Sequence, residues 1–365
     1  MRGEPVERIP FIGRMDLWYT YHHNRGSLPA PYQQAELWDI QRELGIGIFG
    51  FGAWAYPFYR IEYDGVDVTR TVQGGATTTI YDTPHGRLTC TDVMSEELHE
   101  AAGNGARVKF PFKGPQDYGA LHWLLEHARI VGNLDAYERS VEPIGEDGVA
   151  IPYSGHLPAH ELMLRYMGYE RFYYELSDRE SQVERAIAAL DDQQQRILAL
   201  ACQCSAQAIE VGGNYTEQMT PPPIFDRFFA SFYRRTAELL NKAGKVLVVH
   251  GDGDMKLLLG RLMDCGVQVV EALTPQPMTS IDVADTRRLW QDRVTMWGGI
   301  PSVILTPTSS EEQFERYLED LFCAIAPGDR FILGFGDNVP TDALFHRVRR
   351  TAEFCWEHDH YPVQG

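Results

Sequence analysis

A chain of 365 residues with 44% hydrophobic and 23% charged residues has the make-up of a folded globular protein, long enough for one large α/β domain or two smaller ones. Its formal net charge of −18 argues against nucleic acid and against anionic membrane surfaces as partners, because both need a basic footprint. No run approaches the roughly 18 to 20 apolar residues of a membrane span. The start, Met1-Arg-Gly-Glu-Pro5, lacks the apolar core of a signal peptide, so a cytoplasmic protein is expected. Six scattered cysteines without a C-x-x-C pair suggest neither a disulfide framework nor a thiolate zinc cage.

Taken in order, short apolar runs that end in glycine or a polar cluster recur along the chain, each followed by an amphipathic stretch. Eight are read as strands, at 9–13, 45–52, 148–155, 208–215, 245–252, 267–275, 294–301 and 331–337. Helical periodicity fills 170–200, 223–243, 255–265 and 310–325, the last behind a Thr308-Ser-Ser-Glu311 capping pattern. Strands alternating with helices predict a parallel α/β sheet, and eight of them predict a single-domain (β/α)8 TIM barrel over 1–365. An open doubly wound sheet competes, but no G-x-G-x-x-G follows the first strand. The stretch 59–111 breaks the pattern. It reads as alternating strand material, with Thr77–Tyr81 and Arg87–Thr91 flanking the turn Asp82-Thr-Pro-His-Gly86, and is expected to be a hairpin-containing insertion serving as a lid or dimer contact.

In such a barrel the reactive side chains lie at the C-terminal strand ends. Those ends carry Arg14, Asp16, Trp18 and Tyr19; Tyr153, Ser154 and His156; Asn214 and Tyr215; His250 and Asp252; Glu271; and Asp337 and Asn338. Trp297-Gly-Gly299 would let a ligand approach the backbone closely. Within Lys245–Asp254, alternation puts His250 and Asp252 on one side of an extended chain. With Glu271 and Asp337 they form a one-imidazole, three-carboxylate set suited to catalytic zinc or to a harder ion such as manganese or magnesium. Plainer roles stand beside these. His250 can be a satisfied core histidine, Asp252 the N-cap of a helix starting near Met255, and Arg14 and Asp16 a rim ion pair. His22 and His23 can be surface residues, and Trp54, Tyr56, Phe58 and Tyr59 either line a pocket for a flat ligand or pack.

Several motifs in one order carry a resemblance: Arg8-Ile-Pro-Phe11, Tyr81-Asp-Thr-Pro-His-Gly86, Gly168-Tyr-Glu-Arg-Phe-Tyr-Tyr-Glu-Leu176, Val249-His-Gly-Asp252, Trp297-Gly-Gly-Ile300 and Phe331-Ile-Leu-Gly-Phe-Gly-Asp-Asn-Val-Pro340. The chain resembles the uroporphyrinogen decarboxylase superfamily, barrels that include tetrapyrrole decarboxylases and zinc methyltransferases working with corrinoid proteins. Where the decarboxylases grip porphyrinogen propionates with an arginine-rich loop, this chain has Arg14-Met-Asp-Leu-Trp-Tyr19, a poor match for a polyanion. Where the methyltransferases carry a His-x-Cys motif and a later cysteine, it has His250-Gly-Asp252 and Gly336-Asp337, and Glu271 can fill the glutamate position of the methionine synthase relatives.

The resemblance implies a metal-dependent methyltransferase, or demethylase, with His250, Asp252 and Asp337 as its catalytic set. It would move a methyl group from a small methylated substrate to a corrinoid (cobalamin) on a partner protein. Arg14, Asp16, Trp18, Tyr153, His156, Asn214 and Tyr215 would shape the substrate pocket, and a homodimer is a candidate assembly. The alternative is a decarboxylase or lyase of a small carboxylic acid, with Arg14 binding the carboxylate and Asp16 or His156 moving a proton. A third reading is a non-enzymatic carrier of a tetrapyrrole or corrinoid.

Overall fold

The structure is a computed structural model, and it describes residues 1, 7–51, 58–100, 105–360 and 362–363. All eight predicted parallel strands form. Three make one parallel sheet: β1 (Ile12–Gly13), β2 (Gly47–Phe51) and β9 (Gly148–Ile151). Five make another, in sequence order: β10 (Ala208–Glu210), β11 (Val246–His250), β12 (Val269–Leu273), β13 (Thr295–Ile300) and β14 (Phe331–Phe335). Every residue of β11, β12 and β14 is buried, which is why these strands read as nearly continuous apolar runs rather than as alternation.

The unbroken ladder of a closed barrel is not present among the described residues. The two sheets meet instead at single parallel bridges, Phe11 with Leu333 and Tyr153 with Glu210. The strands at these junctions are too short for more, since β1 has two residues and β10 three. The architecture is thus mixed α/β with parallel sheets, compatible with a (β/α)8 barrel.

Between β2 and β9 lies antiparallel material. Strands β4 (Asp67–Gln73), β5 (Ala76–Thr83), β6 (Gly86–Val93) and β7 (Ala106–Lys109) form one sheet, and the register Thr83 to Gly86 leaves Pro84-His85 as the turn. Strand β3 (Tyr59–Tyr63) pairs instead with β8 (Ala128–Gly132), beyond the predicted limit of residue 111. A short helix, Glu96–Glu100, interrupts the strands.

The helices follow their periodicity, with local breaks. The predicted 170–200 helix is two, Tyr169–Asp178 and Glu180–Ala201, separated at Arg179. The cap of Glu311–Ile325 is Ser310, whose hydroxyl accepts from Gln313 N while the Gln313 side chain accepts from Ser310 N, so the capping box lies two residues later than read. Asp252 caps nothing: the turn Lys256–Leu258 has Met255 at its N-cap and no side-chain cap bond. The cysteines are all free thiols. Among the described residues no helix is long and apolar enough to cross a membrane.

Candidate functional site

Strands β11 and β12 place His250 directly opposite Glu271, and the imidazole Nδ1 lies 2.7 Å from Glu271 Oε2. The ladder between β12 and β13 slips between Val270 and Leu273, and Ala272 takes a left-handed conformation with φ 55°. This bulge follows Glu271 immediately, the kind of irregularity that re-aims a side chain at the end of a strand. On the other ring edge, His250 Nε2 is 3.7 Å from Asp252 Oδ2 and 3.6 Å from Asp337 Oδ1. Asp337 sits at φ 70°, and its Oδ1 accepts from Arg14 Nη1 at 2.7 Å. Gly213 makes room for the imidazole: a Cβ on it would lie 2.5 Å from His250 Cβ, at a φ of 130° that side chains rarely adopt.

A fourth carboxylate, Glu210 at the end of β10, completes the cluster. Its Oε1 is 4.0 Å from His250 Nδ1, and the donor atoms of Glu210, His250 and Glu271 all fall within 4.8 Å of one another. Glu210 is fully buried, and among the described residues neither oxygen has a hydrogen-bond partner. Burial pushes its pKa well up and the charge of Glu271 adds to this, against the pull of His250 and Arg14. Burial works against a charged His250, but Glu271 and Asp252 outweigh it and hold the imidazole pKa well above its ordinary value. For Asp252 burial raises the pKa, while His250 and Arg14 bring it to a net depression. Arg14 likewise stays protonated in spite of its burial, facing Asp337, Asp16 and Glu271. Five carboxylates thus surround one imidazole and one guanidinium, which is a site short of positive charge.

A model of the uroporphyrinogen decarboxylase (URO-D) family matches residues 92–358, most of the chain. The chain belongs to this family. The URO-D chain aligns over 98% of its length with 96% of a methyltransferase from Methanosarcina mazei, at TM-score 0.62 and 14% identity, which shows a shared fold. Dispersin B aligns with 61% of the chain at TM-score 0.30 and 11% identity. No curated protein matches it.

In this URO-D protein His250, Asp252, Glu271, Asp337 and Arg14 converge. Asn214, at φ 57°, leans its amide toward Asp252 at 3.4 Å, and Asp16 pairs with Arg14 Nε at 3.5 Å on the rim. Tyr153 and His156 flank the cluster, joined hydroxyl to Nδ1 at 2.8 Å, and burial with Arg165 and His250 nearby lowers the His156 pKa to about 4. Two predicted pocket residues are placed as core. Trp18 stacks on Phe345 at 5.0 Å, and Tyr215, fully buried, shares a 2.7 Å hydrogen bond with Tyr233. Trp54 and Tyr56 lie outside the described residues; Phe58 is buried and Tyr59 half-buried. His22 ties Ser27 to the Thr341 carbonyl. The glycines of Trp297-Gly-Gly299 serve packing, because a Cβ on Gly298 would strike the Leu273 backbone at 2.5 Å.

Glu210 was the residue that sequence reasoning missed. The fourth strand was read to Tyr215, but Gly212, Gly213 and Asn214 all take positive φ, so the strand ends at Glu210 and the carboxylate takes the place assigned to Asn214. The signal was there: a lone glutamate in the apolar run Ala208-Ile-Glu-Val211.

Proposed function

We propose that this URO-D-family protein is a metal-dependent methyltransferase. It would take a methyl group from a small methylated substrate and deliver it to a corrinoid on a partner protein, with the eight parallel strands acting as a (β/α)8 barrel and 59–111 as an insertion upon it. The supporting observation is the two-sided environment of His250. Its 2.7 Å contact from Nδ1 to Glu271 is a hydrogen bond, too short to hold an ion between the atoms. Its Nε2 stands 3.6 and 3.7 Å from carboxylate oxygens of Asp337 and Asp252. Ligands at about 2.1 Å from a tetrahedral ion stand roughly 3.4 Å apart, so each aspartate stands at about a ligand-pair spacing from Nε2, while the three residues whose ligand atoms all lie within 4.8 Å of one another are Glu210, His250 and Glu271. Carboxylate-oriented imidazoles are the usual supporting arrangement for metal ligands.

On this reading Asp252 and Asp337 ligate with His250. Glu271, expected as a ligand, would here orient the imidazole and fix its tautomer, while Glu210 would add negative charge beneath. An oxygen-rich donor set favours a harder ion than two thiolates would. Such an ion supplies Lewis acidity to the heteroatom that loses the methyl group. Arg14 keeps Asp337 in place, and Tyr153 with His156 presents a neutral hydrogen-bonding wall. The decarboxylase alternative needs Arg14 to receive a substrate carboxylate, yet its guanidinium already faces Asp337 at 2.7 Å and Asp16 at 3.5 Å.

The test is the metal content of protein purified without added metal or a polyhistidine tag, against an Asp252→Ala/Asp337→Ala double variant. About one equivalent of a divalent ion, lost in the double variant, is expected. No metal in either protein after resupply would sink the mechanism.

A further inference from the structure

Away from the strand ends, a cavity of about 660 Å³ lies between the segment 109–113 and the helix Tyr169–Asp178, and it shares no residue with the His250 cluster. That volume is in the range of sites that take small molecules. Phe112 N donates to the Tyr166 carbonyl at 3.0 Å and so fixes one side of the cavity against the other. The helix carries most of the stretch Gly168–Leu176 that helped to mark the family, and its residues divide by face. Phe172 and Glu175 are buried, the Glu175 carboxylate accepting from the Tyr118 hydroxyl at 3.1 Å. Glu170, Arg171 and Tyr174 are exposed and line the cavity. The buried set accounts for how the helix packs; the exposed set is left over.

Charge is the first property of the lining that selects a ligand. Two of the chain's five lysines stand here, Lys109 at the end of β7 and Lys113 four residues on. Elsewhere Lys242 bonds Glu238, and Lys245 is committed to the carbonyls of Cys204 and Ala206. Lys109 and Lys113 are exposed, and among the described residues neither ammonium has a carboxylate partner. Arg171 meets Glu175 only at 4.0 Å, and Glu175 is already held by Tyr118 and Arg179. Against these three cations the lining sets one carboxylate, Glu170. In a chain of net charge −18 such a local excess of positive charge marks a place for an anion.

Ring surface is the second property. Phe110 lies against the backbone at Gly168, where φ is 78° and a Cβ would come within 3.0 Å of the ring. The Tyr169 hydroxyl is engaged by His160 Nε2 at 2.9 Å, which leaves its ring rather than its polar end to the cavity. Tyr174 is 58% exposed, and among the described residues it packs on no other ring. An aromatic ligand stacked on such rings gains contact beyond its buried area. Lysines hold phosphate as point charges and arginine holds it through paired N–H groups, so the cations and rings together fit a phosphate joined to a flat heterocycle.

We infer that this cavity binds a nucleoside phosphate, with the phosphate at Lys109, Lys113 and Arg171 and the base against Tyr174 and Phe110. The site is separate from the cluster around His250, and its binding does not depend on the methyl-transfer reading above.

The experiment is calorimetric titration of the protein with AMP, with adenosine and with inorganic phosphate, a chelator being present so that no metal at the strand ends draws the phosphate there. AMP is expected to bind at least about tenfold more tightly than either of its parts. The double variant Lys109→Gln/Lys113→Gln should lose that advantage over adenosine. Tyr174→Leu should weaken AMP binding about two- to tenfold, while Tyr174→Phe, which keeps the ring, retains it. All three positions are exposed, so the variants should unfold at the wild-type temperature, and the lysine and tyrosine variants read the site independently. No saturable AMP binding at millimolar concentration, or an affinity unchanged in both the double lysine variant and Tyr174→Leu, would overturn the inference. Phosphate binding as tightly as AMP would overturn it too, and would mark an anion site without a place for the base. None of these outcomes bears on the metal content of the protein, which tests the proposed reaction separately.

Discussion

Replacing His156 by asparagine is expected to flatten the pH dependence of stability between pH 5 and 7. The imidazole is enclosed with Tyr153 at its Nδ1, His160 at 5.2 Å between ring centroids, and the positive charges of Arg165 and His250 acting on it, so its pKa falls from an ordinary 6.5 to about 4. With a depressed folded-state pKa, the unfolded chain takes up the proton first as the pH drops. Stability from this group is therefore complete above pH 6.5 and lost as the pH falls from there toward 4. Between pH 7 and pH 5 the loss comes to about 2 kcal/mol, from 1.36 kcal/mol per unit of pKa difference over the range where only the unfolded state is protonated. Asparagine keeps a polar atom near the position of Nδ1 but does not titrate. Urea unfolding of both proteins at pH 5, 6 and 7 reads the effect as a widening gap between the two slopes, whatever constant cost the substitution adds. Parallel curves would refute the argument and place His156 in a wetter setting. His160, which burial keeps from protonating with His156 adding to the effect, remains in both proteins.

Glu271→Gln should leave the protein folded yet weaken divalent metal binding about 10- to 100-fold, because the amide holds the imidazole in position without its negative charge; competition with a chelator measures this, and unchanged affinity would remove Glu271 from its orienting role. Gly213→Ala should destabilise the protein by about 2 kcal/mol or more and shift His250, since the added methyl meets His250 Cβ at 2.5 Å in a strained backbone conformation; thermal unfolding together with metal content checks both halves of that expectation.

Much of the fold was legible because it follows local rules. Apolar runs closed by glycine or a polar cluster located all eight parallel strands, and the Asp82–Gly86 turn residues marked a tight hairpin. Element edges were less legible where side chains rather than periodicity decide them. Ser310 outcompetes Thr308 as the helix cap because Gln313 can return the hydrogen bond, and β3 reaches past residue 111 for β8 because antiparallel pairing needs no local signal. At the site, strand-end reasoning names His250, Asp252, Glu271, Asp337 and Arg14, which the fold brings close to one another. It carries the fourth strand on to Tyr215 and so passes over Glu210, where that strand ends.

The sequence by itself determined the alternation of strand and helix, the burial of the central strands and the acidic, His-bearing character of their C-terminal ends, because each depends on residue type and spacing along the chain. Only the tertiary structure decided which of those ends face one another. The bulge at Ala272, the positive φ of Asn214 and Asp337 and the room left by Gly213 turn a scattered set of carboxylates toward the two edges of a single imidazole. Whether a carboxylate is solvated or paired depends on neighbours distant in the chain, and those are supplied only by folding.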